Sequence, residues 1–367
     1  MPKAAANGIE LEYESFGSEE HETILLIMGL GAQLTQWPVE LCDDLVARGY
    51  RVIRFDNRDV GLSSRIERDR AFVWSDALFS LMSGKPAFVA YSLSDMAADA
   101  VGLLDALGIE KAHIAGASMG GMVAQHVAAE YPERTLSLTS IMSSSGNPVL
   151  PPAKPRVYSL FLSPSPAAHD TDAIVARGVK TYETIGSPGF PTDEVTLRDW
   201  VMRDATRAYY PAGVVRQMAA VMTDGDRRPK LRTIRAPAVV LHGADDPLVP
   251  VAAGVDTAEN IPEAELRIVE GMGHDMPLAL IGTIADAIVA AAVRATGVKT
   301  VVAEAATAPM PAAPEAPIEP APALTVPPAE PAELVLPEAT PPPPAPFFLR
   351  LKLRVASWWR RVRNLWN

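Results

Sequence analysis

The feature that most constrains this chain is a set of short apolar runs that leave no polar face. Thr23-Ile24-Leu25-Leu26-Ile27-Met28 is one, and residues 51–55, 112–116, 136–141 and 238–242 read the same way, with a shorter candidate at 266–269. A strand with one wet face alternates apolar and polar residues, whereas a continuous run needs cover on both faces. Helical stretches fall between the runs, at about 35–48, 94–107, 119–130, 251–260 and 277–293. Strands alternating with helices predict an α/β fold, a doubly wound and mostly parallel sheet with helices on both sides. Glu10-Leu11-Glu12-Tyr13-Glu14 alternates with period two instead, and is expected to be an antiparallel edge strand.

The alternation lapses between about 148 and 228, where helical patterns with Pro-marked breaks replace buried strands. In an open α/β sheet an insertion after a strand sits over the carboxyl edge, where ligands bind. Residues 1–147 and 229–298 are therefore expected to form the core and 148–228 a helical cap. Residues 76–86, with Phe79, Leu81 and Met82, are a second candidate lining of the entrance. In the cap, Met202, Met218 and Met222 with Trp200 read either as a deformable apolar pocket or as ordinary helix core. Residues 299–346 hold fifteen of the 34 prolines and almost no aromatics, a composition expected to stay an extended, disordered linker.

Gly116-Ala117-Ser118-Met119-Gly120 matches the G-x-S-x-G pattern of a nucleophile elbow. The pattern is weak by itself. Here it follows a predicted buried strand and opens a helix, the context in which a strained turn exposes a serine hydroxyl. That hydroxyl needs a base to take its proton. In the order serine, acid, histidine, only His274 follows the candidate acids, in a glycine-flanked loop, Gly271-Met272-Gly273-His274. Strand 238–242 ends in His242-Gly243-Ala244-Asp245-Asp246-Pro247, which offers two carboxylates, of which one can orient the imidazole. Asp246 is the choice, with Asp245 the alternative. The oxyanion amides are expected from Met119, at the start of a helix, and from the 29–31 turn, where Leu30 is the best candidate.

These motifs together resemble the α/β-hydrolase superfamily, in particular the branch of aclacinomycin methylesterase-like serine hydrolases, over about residues 8–295. The resemblance also rests on Gln36-Trp37-Pro38 and on the stretch from Asp56 to Ser63. It implies Ser118 as nucleophile, Asp246 as acid, His274 as base, and the Leu30 and Met119 amides for the oxyanion. It implies too that the charges of 56–63 brace loops. One departure is Met28-Gly29, where many relatives carry His-Gly. The implied chemistry is cleavage of a small or medium carboxylic ester, a methyl ester among the options, through an acyl-enzyme, with no cofactor and no metal required. The same triad would serve C–C, amide or lactone hydrolysis or perhydrolysis, and a non-catalytic scaffold tethered by its tail is the reading from another class.

The net charge of −11 opposes nucleic-acid binding, and the single cysteine, Cys42, precludes an intrachain disulfide and reads as a buried helix residue. No apolar run is expected to reach the length of a membrane span, so a cytoplasmic catalytic body is the expectation. Residues 347–367 differ sharply, with six basic residues and no acids. As a helix they present Phe348, Leu351, Val355, Trp358, Val362 and Leu365 on one stripe, which suits an anionic membrane surface or other hydrophobic surface. Docking on a protein partner and an unengaged tail remain open beside it.

Overall fold

The computed structural model describes residues 2–66, 89–163 and 165–296. The candidate lining at 76–86, the linker at 299–346 and the basic segment at 347–367 lie outside the described residues.

Strands β1 (Lys3–Ala6), β2 (Ile9–Phe16) and β3 (Thr23–Ile27) open the chain, followed by helix α1 (Val39–Ala47) and β4 (Arg51–Phe55). Helix α2 (Leu93–Ala106), β5 (Ala112–Ala117), α3 (Met119–Glu130) and β6 (Thr135–Ile141) come next. Between β6 and β7 (Ala238–Gly243) the described helices are α4 (Pro155–Leu162), α5 (Thr171–Ile185), α6 (Glu194–Arg207), α7 (Pro211–Asp224) and α8 (Arg228–Leu231). Helix α9 (Val251–Asn260), β8 (Glu265–Val269) and α10 (Ile281–Thr296) complete the described fold.

The strands form one eight-stranded sheet in the order β1-β2-β4-β3-β5-β6-β7-β8. Only β1–β2 and β2–β4 pair antiparallel; the remaining neighbours are parallel. The doubly wound, mostly parallel sheet read from the apolar runs is thus the observed fold. All five residues of β3 are buried, and its four apolar ones divide between two cores. Leu25 and Ile27 pack with Leu93, Val123 and Leu231 on one face, while Ile24 and Leu26 pack with Leu41, Ile284 and Ile288 on the other. Each such side chain removed from water contributes about 1.5–3 kcal/mol, which favours the apolar run from Ile24 to Ile27. Cys42 lies in the second core, and burial pushes its thiol pKa up to about 12, so it behaves as a small apolar residue.

Two expectations need correction. Strand β2 is not at the edge, because β1 pairs outside it with Ala6 opposite Ile9. The connection is the two-residue turn Asn7-Gly8, both at positive φ (49° and 78°), the backbone that matches the twist of a hairpin. In addition, residues Leu278–Ala295 do reach the length and mean hydropathy (1.8 over 18 residues) of a membrane span. In the fold Ile284, Ala285 and Ile288 of this segment are fully buried against the sheet, so its apolar character is accounted for by core packing.

The winding direction reverses beside β3. Helix α1 leaves β3 toward one face, and α2 and α3 flank β5 on the other. That reversal makes the carboxyl ends of β3 and β5 the topological switch point, the usual ligand position in such sheets.

Candidate active site

Ser118 stands at that switch point, between the end of β5 and the start of α3. Its backbone is at φ 57°, ψ −122°, a conformation that L-residues rarely adopt and that costs of order 1–3 kcal/mol. The neighbouring glycines explain how the turn is tolerated. A Cβ on Gly116 would lie 2.1 Å from the Gly120 carbonyl oxygen, and one on Gly120 would lie 2.0 Å from that of Ile27. Ser118 N–H donates to the Ile141 carbonyl (2.9 Å), continuing the β5–β6 ladder. Its carbonyl accepts from Gly121 N–H (2.9 Å) and from the Ser143 hydroxyl (2.8 Å), which clamps the turn from β6's end.

The structure brings Ser118, His274 and Asp246 together. Ser118 Oγ lies 2.9 Å from His274 Nε2, and His274 Nδ1 lies 2.6 Å from Asp246 Oδ2. Asp246 Oδ1 accepts the amides of Leu248 and Val249, both at 2.8 Å, so the carboxylate is fixed from behind while its other oxygen meets the ring. A carboxylate so placed selects the tautomer with a proton on Nδ1, leaving Nε2 free to receive one from serine. The serine is half-buried, and the histidine and aspartate are buried. Asp245 points elsewhere: its carboxylate accepts the Gly271 amide at 3.1 Å and its own N–H donates to the Met272 carbonyl at 3.0 Å. It holds the histidine loop rather than the histidine ring.

The segment after α5 grips the same loop. His274 N–H donates to the Ile185 carbonyl (2.7 Å), and Gly273 N–H donates to the Ser187 hydroxyl (2.9 Å). A Cβ on Gly273 would sit 2.3 Å from the Gly186 carbonyl oxygen, so glycine is required by close approach. Ser187 in turn donates to Asp275 Oδ1 at 2.5 Å. Behind the acid, His242 is fully buried; its Nε2 donates to the Val249 carbonyl (2.8 Å) and lies 3.7 Å from Asp246 Oδ2. Burial holds its pKa below the usual imidazole value, so it fixes the loop as a neutral group.

Of the two amides expected at the oxyanion position, that of Met119 follows the serine directly, and that of Leu30 comes one residue after Gly29, which packs on Ser118. A Cβ on Gly29 would be 3.1 Å from Ser118 Cβ and 3.6 Å from its Oγ, so the loop after β3 passes directly over the hydroxyl. Met119 opens α3, where backbone amides have no intrahelical acceptor. Asn57 Nδ2 donates to the Met28 carbonyl (2.8 Å), and Gly31 N–H donates to Gln217 Oε1 (2.8 Å).

The turn from Asp56 to Ser63 serves as bracing. Asp56 pairs with Arg207, Asp59 with Arg216 and Arg58 with Asp99. Among the described residues the methionine-lined pocket is not observed, and Met218 is half-buried. Met202 and Met222 are solvent-exposed (40% and 49%), and Trp200 packs edge-on to Tyr182 beside Val175, Val179, Leu197 and Val201, between α5 and α6. Asn57, Gln217, Ser143, Ser187 and His242 are site-supporting residues that sequence reasoning missed. Asn57 and His242 lie within quoted motifs whose pattern does not reveal these contacts, while Gln217, Ser143 and Ser187 act on partners distant in sequence.

The model of the alpha/beta hydrolase fold family matches residues 22–278. The chain is 29% identical over 303 residues to rhodomycin D methylesterase of Streptomyces sp. (strain C5), covering 77% of this chain and 94% of that protein. It is 28% identical over 178 residues to the 2-hydroxy-6-oxo-6-phenylhexa-2,4-dienoate hydrolase of Burkholderia cepacia, covering 47% and 59% of the two chains. Among solved structures, the meta-cleavage product hydrolase of Pseudomonas fluorescens IP01 superposes with a TM-score of 0.60 at 19% identity, over 79% of this chain and 97% of the other, a likeness of fold.

Proposed function

The chain belongs to the α/β-hydrolase fold family and, with methylesterases among its relatives, is a hydrolase of esters or related bonds; from that premise we propose that it cleaves a small or medium carboxylic ester through an acyl-enzyme on Ser118. The observation that carries this reading is the continuous relay from Asp246 through His274 to the Ser118 hydroxyl, at 2.6 and 2.9 Å. Ser118 Oγ attacks the acyl carbon while His274 Nε2 takes its proton. The negative charge that develops on the carbonyl oxygen falls between the amides of Leu30 and Met119. Collapse expels the alcohol, which receives the proton from His274. Water, deprotonated by the same imidazole, then cleaves the acyl-enzyme, releasing the acid and restoring Ser118. Helices α4 to α7 act in this reading as the cap over the carboxyl edge.

The methylesterase relatives support a methyl ester as substrate. The Burkholderia relative supports a second reading, in which the same three residues cleave a C–C bond. A fluorophosphonate probe is expected to label the purified protein at Ser118, and Ser118→Ala to abolish labelling; unlabelled, folded wild type would overturn the acyl-enzyme. Ser118-dependent turnover of p-nitrophenyl and methyl esters, without turnover of a vinylogous 1,5-diketone, separates ester from C–C cleavage. For residues 347–367 the reading is peripheral attachment to an anionic surface. Flotation of the full chain with phosphatidylserine liposomes, equalled by a chain ending near residue 298, would overturn it.

A further inference from the structure

The loop that passes over Ser118 is tied down at both ends by side chains distant in sequence. At one end Asn57 Nδ2 donates to the Met28 carbonyl at 2.8 Å. At the other, Gly31 N–H donates to Oε1 of Gln217, a residue 186 positions away on α7. Gln217 is fully buried, and its second group is also committed: Nε2 donates to the Arg58 carbonyl at 2.8 Å. One amide side chain thus connects three segments, namely the loop after β3, the turn after β4 and the helical insertion. Gly31 is at φ 67°, and a Cβ there would lie 2.9 Å from Val214 on the same helix, so α7 packs directly onto the loop.

Two consecutive amides, of Leu30 and Gly31, compete for any acceptor that approaches this loop. Gln217 occupies the Gly31 amide and leaves the Leu30 amide without a protein acceptor among the described residues. We propose that Gln217 is a positioning residue for the oxyanion site: by holding Gly31 N–H it fixes the rotation of the loop so that Leu30 N–H faces the reacting carbonyl oxygen. The inference rests on the acyl-enzyme reading above. It also accounts for how a chain with Met28-Gly29 in place of His-Gly keeps this loop in register. The loop's geometry comes from Asn57 and Gln217, and through Gln217 from the insertion itself. The Gly31 amide is half-buried, and deprived of its acceptor it is drawn to rotate toward another, since an unpaired amide costs up to about 1–3 kcal/mol when fully buried.

The test uses the full chain and p-nitrophenyl acetate. Gln217→Met is close in shape and lacks both polar atoms; Gln217→Glu keeps an acceptor for Gly31 N–H and lacks the donor to Arg58. Loss of one oxyanion donor typically costs about 10²–10³ in kcat. The expected result for Gln217→Met is a fall in kcat of about 10², with KM within threefold of wild type and the pH of half-maximal rate unmoved. Gln217→Glu is expected to recover at least tenfold of that loss. If Gln217→Met fails to fold, Gln217→Glu alone decides: kcat within about tenfold of wild type supports the proposal, and a hundredfold loss overturns it. Folded Gln217→Met with kcat within threefold of wild type overturns it too, as does a shifted pH profile, which would place the effect on His274. Wild type without Ser118-dependent turnover would overturn the acyl-enzyme reading first, and this inference with it.

Discussion

Two polar clusters are built around turns that follow strands of one sheet, and they differ in where their hydrogen bonds end. In the turn after β4, Asp59 accepts from Ile66 N–H, from the Tyr91 hydroxyl and from two nitrogens of Arg216, at 2.7–2.8 Å. Arg58 and Asp99 meet through two bonds of 2.6 Å, both side chains buried. Each acceptor in that cluster is occupied by a donor that cannot give up its proton to anything further. At the sheet edge the series Asp246, His274, Ser118 ends instead on a half-buried hydroxyl. Both clusters are built around a buried aspartate, Asp59 in one and Asp246 in the other. Only the second ends in a group that is able to attack.

The comparison breaks or holds on a pair of substitutions. Asp246→Asn keeps the shape and removes the charge that selects the Nδ1–H tautomer. Turnover of p-nitrophenyl acetate is expected to fall about 10⁴-fold, with little change in the urea midpoint. Asp99→Ala does the reverse. It leaves the Arg58 cation buried and unpaired, and is expected to lower unfolding free energy by about 3–5 kcal/mol, with kcat within about threefold of wild type well below the melting temperature. A large loss of stability from Asp246→Asn, or a large loss of kcat from Asp99→Ala in folded protein, would erase the distinction.

A smaller effect separates the clusters by pH. Burial lowers the pKa of His242, beside Asp246, from the usual value of 6.5, and does the same to His113. A histidine whose folded pKa is depressed binds fewer protons in the native state than in the unfolded chain. Stability is therefore unaffected above about pH 6.5 and declines as pH falls from there toward the folded pKa, by at most about 1.4 kcal/mol per pH unit for each group. His242→Gln retains a donor for the Val249 carbonyl and cannot take up a proton. Urea melts at pH 7.5 and 5.5 are expected to show a smaller loss on acidification for this variant than for wild type; equal losses would mean that His242 titrates as it does in the unfolded chain.

What could be read from the amino acids follows the range of the interactions involved. Strands covered on both faces are legible because burial favours apolar residues on both faces, as in Ile24 to Ile27. The elbow and the histidine loop are legible because close backbone approach forces glycine at 116, 120 and 273. Strand β1 was not, since Lys3-Ala4-Ala5-Ala6 has poor strand propensity and the Asn7-Gly8 turn was the only local sign of it. The methionines of α6 and α7 stayed between a pocket and helix core for a related reason: helical spacing says that a face exists, not what it meets. Gln217 lay furthest from view, because nothing near residue 217 records that its partner is residue 31.

The smallest predicted effect concerns the two adjacent carboxylates that sequence alone left in competition. Asp245 accepts one amide, that of Gly271, at 3.1 Å, and its backbone N–H anchors Met272 whatever the side chain is. Asparagine at 245 keeps an oxygen acceptor in place, so only the extra strength of a charged acceptor is lost, about 1 kcal/mol or less. Even if that loss fell wholly on the transition state, activity would drop by no more than about fivefold, three orders of magnitude short of the effect at 246. Parallel assays of Asp245→Asn and Asp246→Asn at one pH measure this ratio directly. Equal losses would mean that the loop, rather than the carboxylate on the ring, limits the rate. The reverse order would transfer the acid's role to Asp245, against a geometry in which its oxygens face a backbone amide and not the imidazole.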